Sequence, residues 1–111
     1  MKRQEKIPLI RDIIDYFEGH KEVDVSEVIA SVLTKIADGT PQDRMGMMQA
    51  ALPFMAEGNV FAYPVIVDSS QLKKFTDFCK SKSLAPDVLI SGAALIELGM
   101  VKPGSGPAKH F

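Results

Sequence analysis

Apolar residues recur along the first half of the chain in helical spacing. Ile10, Ile13, Ile14 and Phe17 follow the i, i+3, i+4, i+7 period of one helix face. Pro8 is tolerated in a first helical turn and Gly19 can act as a left-handed terminator, so the spacing predicts a helix over Pro8 to Glu18. A polar link, HKEVD, leads to a second stripe of Val25, Val28, Ile29, Val32, Leu33 and Ile36. Asp24 is placed to cap this helix, with Glu27 as the reciprocal half of a capping box, Val23 and Val28 as a staple, and Gly39 as its end. Thr40 and Pro41 open a third helix that carries Met45, Met48, Leu52 and Met55 along one side. Pro53 removes a backbone bond and clashes with the carbonyl of Gln49, so a kink or break is expected near Leu52 before Gly58-Asn59 turns the chain.

The pattern then changes to one continuous apolar run, VFAYPVIV, over residues 60–67. Its β-branched and aromatic content and its length predict a strand. Pro64 cannot donate to a ladder, which makes this an edge strand, a bulged strand, or two short strands meeting at the proline. Asp68 and Gln71 form a second capping box, Val67 and Leu72 a second staple, and the helix they open runs through Phe75, Phe78 and Cys79 to about Ser83. After it, two readings compete. Pro86 either starts a fifth helix through Leu98, stopped by Gly99, or DVLIS at 87–91 is a buried strand followed by a short helix over Ala93 to Leu98. The expected fold class is therefore a small, mainly helical α+β single domain over residues 1–101. It has three N-terminal helices, a strand region near 60–67, and one or two C-terminal helices with 87–91 as the alternative second strand. Residues 102–111 read as a Gly/Pro-rich tail or wing.

Composition narrows the function classes. Apolar residues make up 46% of the 111 and charged ones 24%, which is enough apolar surface for one core. The formal net charge of -1 gives no global field toward nucleic acid or an anionic membrane. Charge is uneven, however: residues 1–69 hold seven basic and eleven acidic side chains, and residues 70–111 hold six and three. No apolar run reaches the roughly 18 residues that cross a bilayer, and Arg11, Asp12 and Asp15 interrupt the N-terminal apolar stretch, so neither a membrane span nor a signal peptide is expected. A single cysteine, Cys79, suits a reducing cytoplasm and precludes an internal disulfide or a multi-cysteine zinc site.

Candidate chemistry is sparse. Cys79 has only His20 and His110 as bases, neither placed beside it in sequence, and its spacing from Phe75 marks it as a buried small hydrophobe. No HxxxH or CxxC spacing is present, and Asp12, Asp15 and Tyr16 lie on the polar side of the first helix. Neither the segment Gly104-Ser105-Gly106 with Lys109 nor Ser91-Gly92 has the full context of a phosphate-binding loop. No catalytic residue, cofactor or metal is expected.

Binding surfaces remain. The stripe Met45, Met48, Leu52, Met55 is expected to face the core, which leaves Met47 and Phe54 to be covered by the strand, by another helix, or by another molecule. With Phe61 and Tyr63 of the strand they are the candidate partner-binding residues, and the unpaired edge of 60–67 is a candidate route to a homodimer. A second class is a small DNA-binding regulator. The run LIELGMVKPGSGPAKHF is similar to the end of a recognition helix followed by the glycine-rich loop of a winged helix. That resemblance spans about 25 residues and implies phosphate contacts by Lys102 and Lys109, with Lys73, Lys74, Lys80 and Lys82 nearby. Asp87 to Leu98 contains no Arg, Lys, Asn or Gln with which to read base edges. The sequence therefore favours a non-enzymatic regulatory or adaptor protein, with another protein or a second copy as partner. DNA binding stands behind it, and an enzyme whose site the sequence does not display stands last.

Overall fold

The computed structural model describes residues 1–102; Lys109, His110 and the rest of the glycine-rich tail lie outside the described residues. The chain forms β1 (Lys2–Ile10), α1 (Arg11–Gly19), α2 (Val25–Asp38), α3 (Pro41–Ala51) with a 3-10 turn over Leu52–Phe54, β2 (Val60–Asp68), α4 (Ser69–Lys82) and α5 (Pro86–Glu97). It is a mainly helical α+β arrangement around one two-stranded antiparallel sheet.

The sheet corrects the N-terminal expectation. Residues Pro8 to Ile10 end a strand, and the helix starts at Arg11. Every β1 residue finds its partner 50 to 66 positions away, from Ile10 opposite Val60 to Lys2 opposite Asp68. No local period in KRQEKIPLI could report that pairing. Two bonds at the ends of the ladder fix its phase: Arg11 N–H donates to the Asn59 carbonyl and Ser69 N–H to the Met1 carbonyl, both at 2.9 Å. Odd-numbered residues of each strand therefore exchange the inter-strand bonds, and even-numbered ones point their backbone groups outward. Pro8 and Pro64 are both even. Neither breaks the ladder, and each deletes a donor from an outer edge, as edge prolines do. The edge of 60–67, the expected route to a homodimer, is thus interrupted at its middle by Pro64.

On the core face Ile7 and Leu9 join Val65 and Val67, all buried, while Gln4, Lys6, Ala62, Pro64 and Ile66 face solvent. Both strands pass directly into helices. At the second junction the Asp68 carboxylate accepts from Ser70 N–H at 2.8 Å and Gln71 N–H at 3.3 Å. The Gln71 and Ser70 amides hold the Asp68 carboxyl below the usual carboxylate range. The reciprocal half of this expected box does not form, because the Gln71 amide reaches across to the Ala30 carbonyl at 3.1 Å and Thr34 Oγ1 at 3.0 Å. It ties α4 to α2. Asp24 caps α2 through Glu27 N–H, and Thr40 and Asp43 form a complete capping box on α3. Each such cap contributes about 1 kcal/mol.

Helix ends fall where backbone sterics put them. Gly19 stays helical and Gly39 is extended, so neither is the left-handed terminator that a glycine at a helix end suggests. That conformation belongs to Gly99 after α5 and, against the usual preference for glycine, to Ser83 after α4 (φ 55°). In both cases the two following amides bond back to the helix: Ser83 and Leu84 to Lys80 and Cys79, Gly99 and Met100 to Ile96 and Leu95. Pro53 breaks α3 as expected, and the chain tightens into the 3-10 turn.

Residues 87–91 are helical, so the alternative second strand is corrected. The reason lies in burial: Leu89 to Leu95 are seven consecutive buried residues, and a helix enclosed on all sides satisfies its own backbone while offering every side chain to the core. α5 is packed by α3, α2, β1 and α1. Gly92 makes this enclosure tight. A Cβ there would lie 1.8 Å from the Met47 carbonyl oxygen, so the α3 backbone rests directly on α5.

Candidate interaction surface

α3 presents two unlike sides. Toward the core it contributes Arg44, Met47, Ala50 and Ala51. Arg44 is 9% exposed, and its guanidinium donates to the Ile36 carbonyl at 3.2 Å and the Gly39 carbonyl at 2.6 Å. It also lies 5.1 Å from the centroid of the Phe78 ring. The carbonyl end of α2 carries partial negative charge and the ring face is electron-rich, so both meet the cation where no carboxylate lies within ion-pair distance among the described residues. Arg44 thereby fastens α3 to α2 and α4.

Away from the core, Met45 is 55% exposed and Leu52 58% exposed. They lie two turns apart on one face, with Gln49 between them, Gln42 beyond, and half-buried Met48 and Gly46 at the flanks. This corrects the expectation for the methionine stripe: Met45 and Leu52 look outward, and only Met48 and Met55 are partly packed on the core. The helical period identified the stripe. It could not say which side of the helix the core would take, because the opposite side offered small residues and one arginine. From Met45 to Ala56 the chain carries no charged residue. Of the two just before, Asp43 is bound into its cap and Arg44 is buried.

The four residues expected to bind a partner do not form one surface. Met47 is a core-side residue whose backbone touches Gly92. Phe54 is half-buried in the 3-10 turn, and its carbonyl accepts from the Asn59 side-chain amide at 2.6 Å. Phe61 is 41% exposed beneath the Arg11 guanidinium at 5.4 Å. Tyr63 stacks on Phe17 with ring centroids 6.2 Å apart and donates its hydroxyl to Glu18 at 3.0 Å. Burial and that bond to an anion push the Tyr63 hydroxyl pKa up, and the Tyr63 and Lys21 bonds draw the Glu18 carboxyl down.

The expected phosphate contacts scatter too. Lys73 pairs with Asp77 at 3.0 Å; Lys74 lines a cleft between α2 and α4; Lys80 and Lys82 are exposed toward the C-terminal end of α4; Lys102 is the last described residue. α5, the helix of the winged-helix comparison, is enclosed and has no free face for a groove. Lys109 lies outside the described residues.

Other features are accounted for within the fold. The His20 ring stacks on Tyr16 at 4.0 Å and its Nδ1 bonds the Tyr16 carbonyl at 2.8 Å, closing the end of α1. Burial raises the Cys79 thiol pKa, so little reactive thiolate forms. An open cleft of about 260 Å³ at the paired starts of α2 and α4 is lined by Lys2, Asp24, Glu27, Ile66, Asp68 and Gln71, among others. Asp24 and Asp68 already cap helices there and Gln71 is bonded to α2. Among the described residues no group of three or more His, Cys, Asp and Glu side chains could hold a metal ion, and no helix is long and apolar enough to cross a membrane. The chain matches no family model, no curated protein and no solved structure.

Proposed function

We propose that this chain is a non-enzymatic regulatory or adaptor protein that acts by protein-protein contact through the outward face of α3 and its 3-10 extension. One observation carries the reading: two large apolar side chains, Met45 and Leu52, are more than half exposed on a helix face that bears no charge. Interface centres are depleted in charge and enriched in methionine relative to ordinary surface, and thioether side chains adapt to irregular apolar partners. A photo-crosslinking residue placed at Leu52, and separately at Lys82, tests the assignment in the native host. Protein adducts should concentrate at position 52. Equal adduct yield at both positions, or none at 52, would remove α3 as the contact surface.

A second reading draws on Lys80 and Lys82, exposed toward the C-terminal end of α4, as separate phosphate contacts. Gel-shift titration at two salt concentrations separates it from the first: a salt-sensitive shift that Lys80→Ala with Lys82→Ala weakens would favour nucleic acid.

A further inference from the structure

We infer that the free edge of β1, from Lys2 to Lys6, is a docking site for an acidic peptide in extended conformation, which adds to the sheet as a third strand. The site involves neither α3 nor its outward face, so it does not depend on the reading of that face as a contact surface.

The two edges of the sheet differ. On β2 the outward backbone groups belong to Ala62, Pro64 and Ile66, and Pro64 supplies no donor at the centre of that row. On β1 they belong to Lys2, Gln4 and Lys6, each with an N–H and a carbonyl, and the row is unbroken until Pro8. Odd-numbered residues of β1 serve the ladder to β2, and no other element among the described residues bonds to the backbone of these three. Lys2, Arg3, Gln4 and Lys6 are all exposed. Donors and acceptors on alternate residues recur every ~7 Å, which is the spacing at which another extended chain presents its own. Strand addition is the mode of recognition this edge fits.

Charge then selects the peptide. Lys2, Arg3 and Lys6 stand against a single anion, Glu5, and none of the four is in an ion pair. Lysines on an edge strand guard it against indiscriminate pairing. The same lysines admit a strand that carries carboxylates, because opposite charges on directly facing residues stabilise a pair of strands and like charges destabilise it. Lys2 already faces Asp68 across the ladder, which leaves Lys6 and Arg3 to set the preference. Their side chains lie on opposite faces of the strand. In antiparallel addition the peptide therefore needs an acidic residue opposite Lys6, a neutral one opposite Glu5, and a second acidic residue opposite Arg3, three positions after the first. The sequence TETVETT meets this pattern, with its valine opposite Gln4.

Titration of the full chain with end-blocked TETVETT up to about 1 mM, followed by amide hydrogen exchange, tests this. The Gln4 and Lys6 amides should slow at least tenfold with bound peptide, while those of Ala62 and Ile66 on the other edge stay unchanged. TETPETT has the same charge but lacks the donor that meets Gln4, and it should bind at least tenfold more weakly. That comparison leaves the protein untouched, so it does not depend on any variant folding. Arg3→Glu combined with Lys6→Glu should lose TETVETT and gain the charge-reversed TKTVKTT. No binding by about 1 mM would overturn the proposal. Equal binding of TETVETT and TETPETT, or binding without protection of Gln4 and Lys6, would reduce the site to unspecific charge attraction and overturn strand addition. Protection of the same two amides in concentrated protein without peptide would assign the edge to a second copy instead. Tighter binding of a single-stranded oligonucleotide than of TETVETT would assign it to nucleic acid.

Discussion

α3 and α5 look alike in sequence and do opposite things. Each is opened by proline, each is rich in apolar residues, and each has a glycine in its interior. α5 is enclosed, with Leu89 to Leu95 all buried, and its glycine is the seat on which α3 rests. α3 gives the core its small residues and a buried arginine and turns Met45 and Leu52 to solvent. Apolar content thus tells where burial is available. Which helix receives it is decided by how closely two backbones can approach, and Gly92 permits that approach on α5.

The contrast makes graded claims on stability. Gly92→Ala should be the most damaging change, at about 3 kcal/mol or more, because a carbonyl of the backbone must move to admit one methyl group. Urea denaturation reads this, and a midpoint near that of the parent would break the account of the α3 and α5 contact. Arg44→Ala comes next. It removes two hydrogen bonds to the end of α2 and the cover of Phe78, for an expected loss of about 2 kcal/mol. Arg44→Met should recover part of that loss, since it restores packing without the bonds. If both variants unfolded at the parent's midpoint, the buried cation would not be fastening α3.

Gly46→Ala should act in the other direction, adding up to about 1 kcal/mol in dilute protein, where only helix propensity is at stake. A loss instead would mean that Gly46, like Gly92, is held by its own chain. Leu52→Ala should be smallest, within about 0.5 kcal/mol, because a side chain that is 58% exposed loses little contact. A cost of the size seen for buried leucines would place Leu52 in the core and remove it from the contact face. All four comparisons use the same chemical denaturation series at low protein concentration.

Much of the fold was legible because its signals are local. The caps at Asp24, Thr40 and Asp68, the stop near Pro53 and the strand at 60–67 each depend on residues within a few positions of one another. β1 was not legible, since its pairing partners lie far along the chain and its first half, KRQEK, has no apolar alternation. The left-handed turn at Ser83 was hidden for a different reason: serine is an uncommon choice there, and the bonds from Ser83 and Leu84 back to α4 override the preference. At the contact face, the methionine stripe was visible as a stripe and its direction was not. Met47 and Phe54 fall off it in the sequence, and both pack against the core, Met47 with its backbone on Gly92.

By itself, then, the sequence determined a small helical domain with one strong strand, the starts of α2, α3 and α4, and the absence of charge from Met45 to Ala56. Tertiary structure decided the partner of that strand, the enclosure of α5, and the outward turn of Met45 and Leu52. The physical reason is that periodicity fixes which residues share a helix face, whereas the facing of that side depends on shape complementarity between elements distant in sequence. Here a carbonyl of α3 settled onto a glycine of α5, and Met45 and Leu52 on the opposite side were left in water.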